Sequence, residues 1–236
     1  MAAAEHQVEH HTTTGIDSRK LLMWIFLGSE CLFFGSLIAT YLIFKGEIDL
    51  PPFPSETHVE TAYLEEALAS GEITEVHKHL CHESDEAGIS VCEGIFDIPL
   101  TSQSTFVLLM SSVAMVLAVY GAQHNRPMMM KSWLLATMLL GVIFLGYQVY
   151  EFRTFGQEGL TLETSQFGAS FFVLTGFHGT HVAVGVLILG SLLLASFRRR
   201  GLGSEPGFQV ETAGLYWHFV DIVWIVIFTV LYLIPA

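Results

Sequence analysis

Charge is scarce in this chain: Asp, Glu, Lys and Arg make up 14% of its 236 residues, where a soluble globular domain carries nearer a quarter. The charge is also one-sided, 10 Lys and Arg against 23 Asp and Glu, for a formal net charge of −13. That excludes a nucleic-acid partner, which needs a basic face. Cysteine is limited to three residues, spaced neither as a zinc finger nor as a haem attachment motif. There is no phosphate loop, nucleophile elbow, zincin motif or dinucleotide fingerprint, so no catalytic constellation is visible. Repeats and low-complexity tracts are lacking as well. No cleavable signal peptide is evident, because the first 18 residues are polar and the first apolar run is long enough to span a membrane. The His6, His10 and His11 cluster of that polar start reads as a solvated tail rather than a metal site.

Apolar length is abundant. Hydrophobic residues make up 52% of the chain, 18 of them Phe. A spanning helix needs about 20 mostly apolar residues, and five stretches qualify: 21–44, 105–123, 133–152, 167–197 and 213–234. The expected fold is therefore all-α, a polytopic membrane bundle of five transmembrane helices over 19–236, preceded by the polar tail 1–18. Lys and Arg orient it. Arg19, Lys20, Arg126, Lys131, Arg198, Arg199 and Arg200 share one side if the spans alternate, against Lys45, Lys78 and Arg153 on the other. This predicts a cytoplasmic N-terminus and an extracytoplasmic C-terminus in a bacterial plasma (inner) membrane.

The segment 45–104 then lies outside, with thirteen Asp and Glu facing two Lys. Residues 55–70 read as a short helix ending at Gly71, with Ser55 as a cap. Cys81 and Cys92 share this oxidising side; a bridge between them and two free thiols are both open readings. A negative patch here could steer a basic electron donor, dock another complex, or simply keep the loop solvated.

Ionisable residues inside the spans are the strongest functional signal, because each is costly in lipid unless it faces protein, water or a partner. Glu30 sits mid-span in Ser29-Glu30-Cys31-Leu32-Phe33-Phe34; it could store or pass a proton or make an interhelical hydrogen bond. Gly28, Ser29, Gly35 and Ser36 would let another helix or subunit approach it closely. His178 and His181, in Thr175-Gly176-Phe177-His178-Gly179-Thr180-His181-Val182, are three residues apart. So are His218 and Asp221, in Tyr216-Trp217-His218-Phe219-Val220-Asp221-Ile222-Val223-Trp224. Facing pairs would make a four-ligand metal set, but the paired Glu-x-x-His pattern of metal-binding bundles is missing, and packing or hydrogen-bonding roles are favoured. Gly176, Gly179, Gly185 and Gly190 suggest a tightly packed helix. Glu151, in Gln148-Val149-Tyr150-Glu151-Phe152, falls at the outer end of the third span and reads as an interface anchor or a contact for a lipid or subunit. The Met128-Met129-Met130 turn reads as lipid- or partner-facing surface.

These four motifs, in this order and separation, resemble subunit III of the haem-copper oxidases, in a five-span form that lacks the family's first two helices. The resemblance implies a subunit with no redox centre of its own, haem and copper being held by partner subunits I and II of a cytochrome c oxidase. It implies bound phospholipid between the helices, packing against subunit I near a proton-uptake path, and protection of the proton-pumping catalytic subunit from inactivation during turnover. Glu30 matches the family's membrane carboxylate, and His178, His181, His218 and Asp221 match recurrent polar positions of mostly structural role. The outer loop is longer and more acidic than the family pattern, which favours cytochrome c as partner. A quinol oxidase subunit III and a nitric-oxide-reductase-associated homologue are the alternatives within the family. A proton or ion transporter acting alone is the alternative of another class, disfavoured because neither inverted repeats nor broken helices are seen.

Overall fold

A computed structural model of the chain describes residues 18–45, 51–71, 73, 79–84, 88–163, 165–198 and 206–234. The polar tail 1–17, Arg199, Arg200 and several acidic loop positions (Glu47, Asp49, Glu72, Glu75, Asp85 and Glu86) lie outside the described residues. Five helices are long and apolar enough to cross a membrane: α1 (Ser18–Lys45), α3 (Ile98–Gln123), α4 (Pro127–Gln157), α5 (Gln166–Ser196) and α6 (Pro206–Phe228). A sixth, α2 (Thr61–Ser70), is short and belongs to the segment between α1 and α3.

The helices run past the apolar stretches into polar sequence because side chains satisfy their free amides. Asp97 accepts from the Leu100 amide at 3.0 Å, with Pro99 in the first turn. Ser165 accepts from the Gly168 amide at 3.0 Å. The α3–α4 turn is tight: Asn125 takes φ 53°, and a Cβ on Gly121 would stand 2.7 Å from the Met130 backbone nitrogen. Met130 is therefore buried, while Met128 is 79% exposed, so the expected methionine surface is only partly a surface.

The tier of each helix follows from its neighbours. α6 packs against α3, α5 and α1, and α3 against α4. α1 is peripheral, applying Leu27, Phe34 and Tyr41 to α5 and α6 and leaving its remaining faces open. Nothing lies within 4 Å of a Cβ on Gly28 or Gly35, and Ser29 and Ser36 bond to their own helix at Phe26 O and Phe33 O. The close approach those residues could permit is not made among the described residues. α6 ends in a wide π turn, Thr229–Leu233. The buried Lys45 Nζ reaches across from α1 to donate to its carbonyls, Val230 O at 2.9 Å and Ile234 O at 2.5 Å. A cation at the carbonyl end of a helix is electrostatically favoured. Lys20 pairs with Glu211 at 2.6 Å at the opposite end of the same two helices.

The segment between α1 and α3 is folded. Strands β1 (Thr57–Glu60), β2 (Cys81–Glu83) and β3 (Ile89–Cys92) form an antiparallel sheet in the order β1-β3-β2. Its own apolar cluster gathers Phe53, Leu64, Ala67, Ile73 and Cys92. Cys81 stands directly opposite Cys92 on neighbouring strands, and the two are joined in a disulfide. The helix expected over 55–70 is shorter than the sequence suggested. Residues 57–60 pair with β3 instead, and α2 starts at Thr61 behind Glu60, which makes no side-chain cap; Ser55 therefore caps nothing. The expected end at Gly71 is found, in the left-handed conformation at φ 81°, which favours glycine.

Candidate functional site

The membrane carboxylate lies in a cleft. α1 diverges from α5 and α6 to leave a cavity of about 540 Å³, lined chiefly by apolar side chains such as Met23, Phe26, Val184 and Ile188, with Glu30, His181 and Tyr216 among its polar groups. Glu30 Oε2 is 3.2 Å from His181 Nε2, and both side chains are 18% exposed. The other ring nitrogen, Nδ1, is 2.8 Å from Phe177 O. The Tyr216 hydroxyl donates to His181 O at 3.0 Å, and the Phe34 ring meets the imidazole edge-on at 5.0 Å. The pair thus joins α1 to α5, with α6 buttressing the joint.

His178 goes elsewhere. It is fully buried, stacked on Trp224 at 4.8 Å and met edge-on by Phe144 at 5.9 Å; among the described residues neither ring nitrogen has a hydrogen-bond partner. His218 turns to α3, its Nδ1 2.6 Å from Ser112 Oγ. Asp221 is buried on the same seam, near Ser112, though neither carboxyl oxygen makes a hydrogen bond of full geometry. The four residues that could have formed a ligand set are therefore divided: His178 packs on Trp224, His181 meets Glu30, and His218 and Asp221 share the α3 seam near Ser112. Among the described residues no three His, Cys, Asp or Glu converge as a metal site.

Glu151 is a correction. The position suggested an interface anchor or a contact for a lipid or subunit, yet the side chain is buried within the chain's own helices. It accepts from Thr101 Oγ1 of α3 and from the Tyr232 hydroxyl beyond α6, the latter at 3.1 Å. It is a polar lock between three helices at the loop-bearing end of the bundle.

The α3–α6 seam carries residues that sequence reasoning had not singled out. Trp224 Nε1 donates to Thr105 Oγ1 at 3.0 Å and Trp217 Nε1 to Ser111 Oγ at 2.9 Å. Gln148 Nε2 crosses from α4 to Thr175 O at 2.7 Å, against Gly179, whose Cβ would strike the Gln148 amide at 2.5 Å. A Cβ on Gly185 would stand 2.9 Å from Trp217, and one on Gly190 would be in ordinary contact with Met138, but Gly176 has open space. The visible signal was two Trp in α6 and Ser or Thr at helical spacing in α3, the usual polar contacts of membrane helices.

Five helices of membrane-spanning length, tied by interior polar contacts and opening a cleft that Glu30 and His181 line, are the architecture of a polytopic membrane protein. Residues 73–235, well over half the chain, match the family described as cytochrome c oxidase subunit III. A protein of Staphylococcus aureus (strain USA300) named "Probable quinol oxidase subunit 3" is 33% identical over 231 residues, covering 95% of this chain and 96% of that one. A protein of the same name from Staphylococcus saprophyticus is 32% identical over the same share. The chain belongs to the haem-copper oxidase subunit III family.

Proposed function

We propose that the chain is the third, non-redox subunit of a quinol-oxidising terminal oxidase in a bacterial plasma membrane, oriented with the basic end of the bundle in the cytoplasm. In this assembly partner subunits carry haem and copper and reduce dioxygen. This chain holds phospholipid in the α1–α5–α6 cleft and supports proton uptake through Glu30. The observation that carries the reading is the likeness, over nearly the whole chain, to proteins named as quinol oxidase subunits. Support for a supporting role comes from the site itself, where Glu30 meets His181, His178 packs on Trp224 and His218 meets Ser112, each contact joining two helices.

A second reading, cytochrome c as donor, is favoured by one observation: the acidic segment is a disulfide-linked fold presenting Glu56, Glu60, Glu65, Glu66, Glu83 and Glu93 to solvent. A charged face of this kind raises the on-rate of a basic partner in a salt-dependent way.

One experiment addresses both. The assembled complex, purified through a tag on this chain, is assayed with a water-soluble quinol and with reduced cytochrome c over a range of ionic strength. Turnover on quinol alone supports the main reading. Turnover on cytochrome c whose salt dependence flattens on deletion of 55–90 establishes the second. A chain that purifies without a haem-containing partner and moves ions in liposomes would sink both in favour of a transporter.

A further inference from the structure

We propose that the junction between the outer fold and the bundle holds a zwitterionic headgroup, a phosphate followed by an ammonium, of the phosphatidylethanolamine kind. A cavity of about 230 Å³ lies there, with walls from both parts of the chain. Lys45 and Tyr232 line it from the ends of α1 and of the π turn, and Ser55, Glu56 and Gly94 from the two legs that lead into and out of the outer fold. The legs lie side by side: the Ile95 amide donates to Phe53 O at 3.0 Å, and a Cβ on Gly94 would stand 2.6 Å from Ser55 Cα. Phe96 fastens the second leg to the bundle, its ring 4.7 Å from that of Tyr232 and 5.2 Å from that of Phe171. The cavity is therefore built by two elements fixed against each other.

Its charges are arranged for a dipolar guest. Lys45 closes α1, at the level where an apolar span gives way to lipid headgroups. Its side chain is buried, and two of its three ammonium protons go to Val230 O and Ile234 O, leaving one N–H. Carbonyl oxygens solvate the cation without neutralising it. Among the described residues no carboxylate stands within ion-pair distance of it, and a buried charge is costly unless paired. A phosphodiester oxygen supplies that partner. Phe96, Leu231 and Ile234 give the same cavity apolar walls, which suit a glycerol and its first methylenes and disfavour a hydrated free anion. Glu56, exposed to solvent, is the other charge on the lining. It attracts an ammonium beyond the phosphate and repels a headgroup of net negative charge. A buried cation and an exposed anion on one lining thus complement a phosphate–ammonium pair. No residue of this lining belongs to the α1–α5–α6 cleft, so the site goes beyond the proposed function and does not depend on it.

The test is native mass spectrometry of the complex, purified through a tag on this chain, washed free of loose lipid and titrated with phosphatidylethanolamine, phosphatidylglycerol or inorganic phosphate. The expected result is a tightly held phosphatidylethanolamine, favoured several-fold over phosphatidylglycerol and unmoved by inorganic phosphate. Lys45→Met should lose that lipid and Lys45→Arg should keep it. Glu56→Gln should keep a lipid but accept phosphatidylglycerol equally well. An unchanged lipid count in Lys45→Met, no preference in the parent, or displacement by inorganic phosphate, which would mark a free-anion site, each overturns the proposal. The parent and Glu56→Gln, a change at an exposed position, decide the matter even if Lys45→Met fails to fold. A complex that fails to turn over quinol would leave the lipid count standing, and a missing lipid would leave the turnover result standing.

Discussion

The Trp217 indole is clamped between two helices, and this predicts that adding one methyl group on either side will destabilise the bundle. A Cβ on Gly141 of α4 would stand 2.6 Å from Cη2 of that ring and 3.0 Å from Val186 Cγ2. A Cβ on Gly185 of α5 would stand 2.9 Å from Cε3 and Cζ3. Carbon atoms rest at about 3.5–4.0 Å, so each alanine requires the ring to retreat by roughly 1 Å. It has nowhere to go: the indole is 1% exposed and tethered by Nε1 to Ser111 Oγ at 2.9 Å, and the other glycine borders the ring as well. Overpacking of this kind costs about 1–3 kcal/mol, against a gain of about 1 kcal/mol from replacing glycine in a helix. Gly141→Ala and Gly185→Ala should therefore be destabilising by a net of up to about 2 kcal/mol, and more than additive together. Gly28→Ala and Gly35→Ala, with open space around them, should be neutral or slightly stabilising. The assay is thermal unfolding of the purified complex. Trp217→Phe closes the cycle: it removes the ring atoms that Gly141→Ala would strike, so that the alanine should become harmless in that background while the lost Ser111 hydrogen bond keeps the phenylalanine variant itself destabilised. Equal shifts for Gly141→Ala and Gly28→Ala, or additivity with Trp217→Phe, would refute the clamp.

The other expectations concern the two ends of the bundle and the outer fold. Glu151→Ala removes an acceptor from the Thr101 and Tyr232 hydroxyls; Thr101 keeps the Asp97 carbonyl at 3.0 Å, so the cost falls on Tyr232 and should be about 1–3 kcal/mol, and a midpoint unchanged from the parent would show the lock to be incidental. Reducing Cys81–Cys92, whose separation is 11 residues, should remove about 3 kcal/mol from the outer fold alone. Protease cutting between α1 and α3 should quicken while the helices keep their protection, and an unchanged cutting rate would contradict this. Lys45→Met frees the Val230 and Ile234 carbonyls and should speed amide exchange over the last turn of the chain without affecting the start of α6. Glu158 closes α4 with one carboxyl oxygen buried and unpartnered, and burial pushes its acid above the ordinary carboxylate range. A raised folded pKa means that the folded state binds the proton more tightly, so its penalty is missing at acid pH and grows as pH rises through the raised value. Glu158→Gln should then raise the melting temperature at neutral pH and change nothing below the ordinary carboxylate range; a gain that persists in acid would refute it.

The five spans were legible because apolar length is a one-dimensional property, visible before any partner is known. The helix ends were less so, since Asp97 and Ser165 extend α3 and α5 through single side-chain hydrogen bonds. β1, β2 and β3 have no more than four residues each. Strands this short carry too little alternation to stand out, and their pairing depends on Cys81 and Cys92 being brought opposite each other. Glu151 was misjudged for a related reason. Its depth could be read from the chain, but its partners come from positions 50 residues before it and 81 after it, and no local pattern announces them.

The i, i+3 pairs teach the most about what spacing can and cannot say. Positions three apart on an α-helix share a side of it, which made His178 with His181 and His218 with Asp221 look like paired ligands. They are nonetheless turned about 60° from one another, since each residue advances about 100°. In α5, packed on one side and bordering the cleft on the other, that angle is enough to divide the pair. α5 sends His178 inward to Trp224 and His181 outward to Glu30. α6 sets His218 and Asp221 along the α3 seam, where only the first finds a full hydrogen bond. The same motif thus serves two surfaces at once, interior packing and the cleft. Histidine spacing alone therefore left a metal open beside the favoured packing roles, and the neighbours of each ring show what the spacing could not: His178 ties α5 to α6 through Trp224, and His181 ties it to α1 through Glu30.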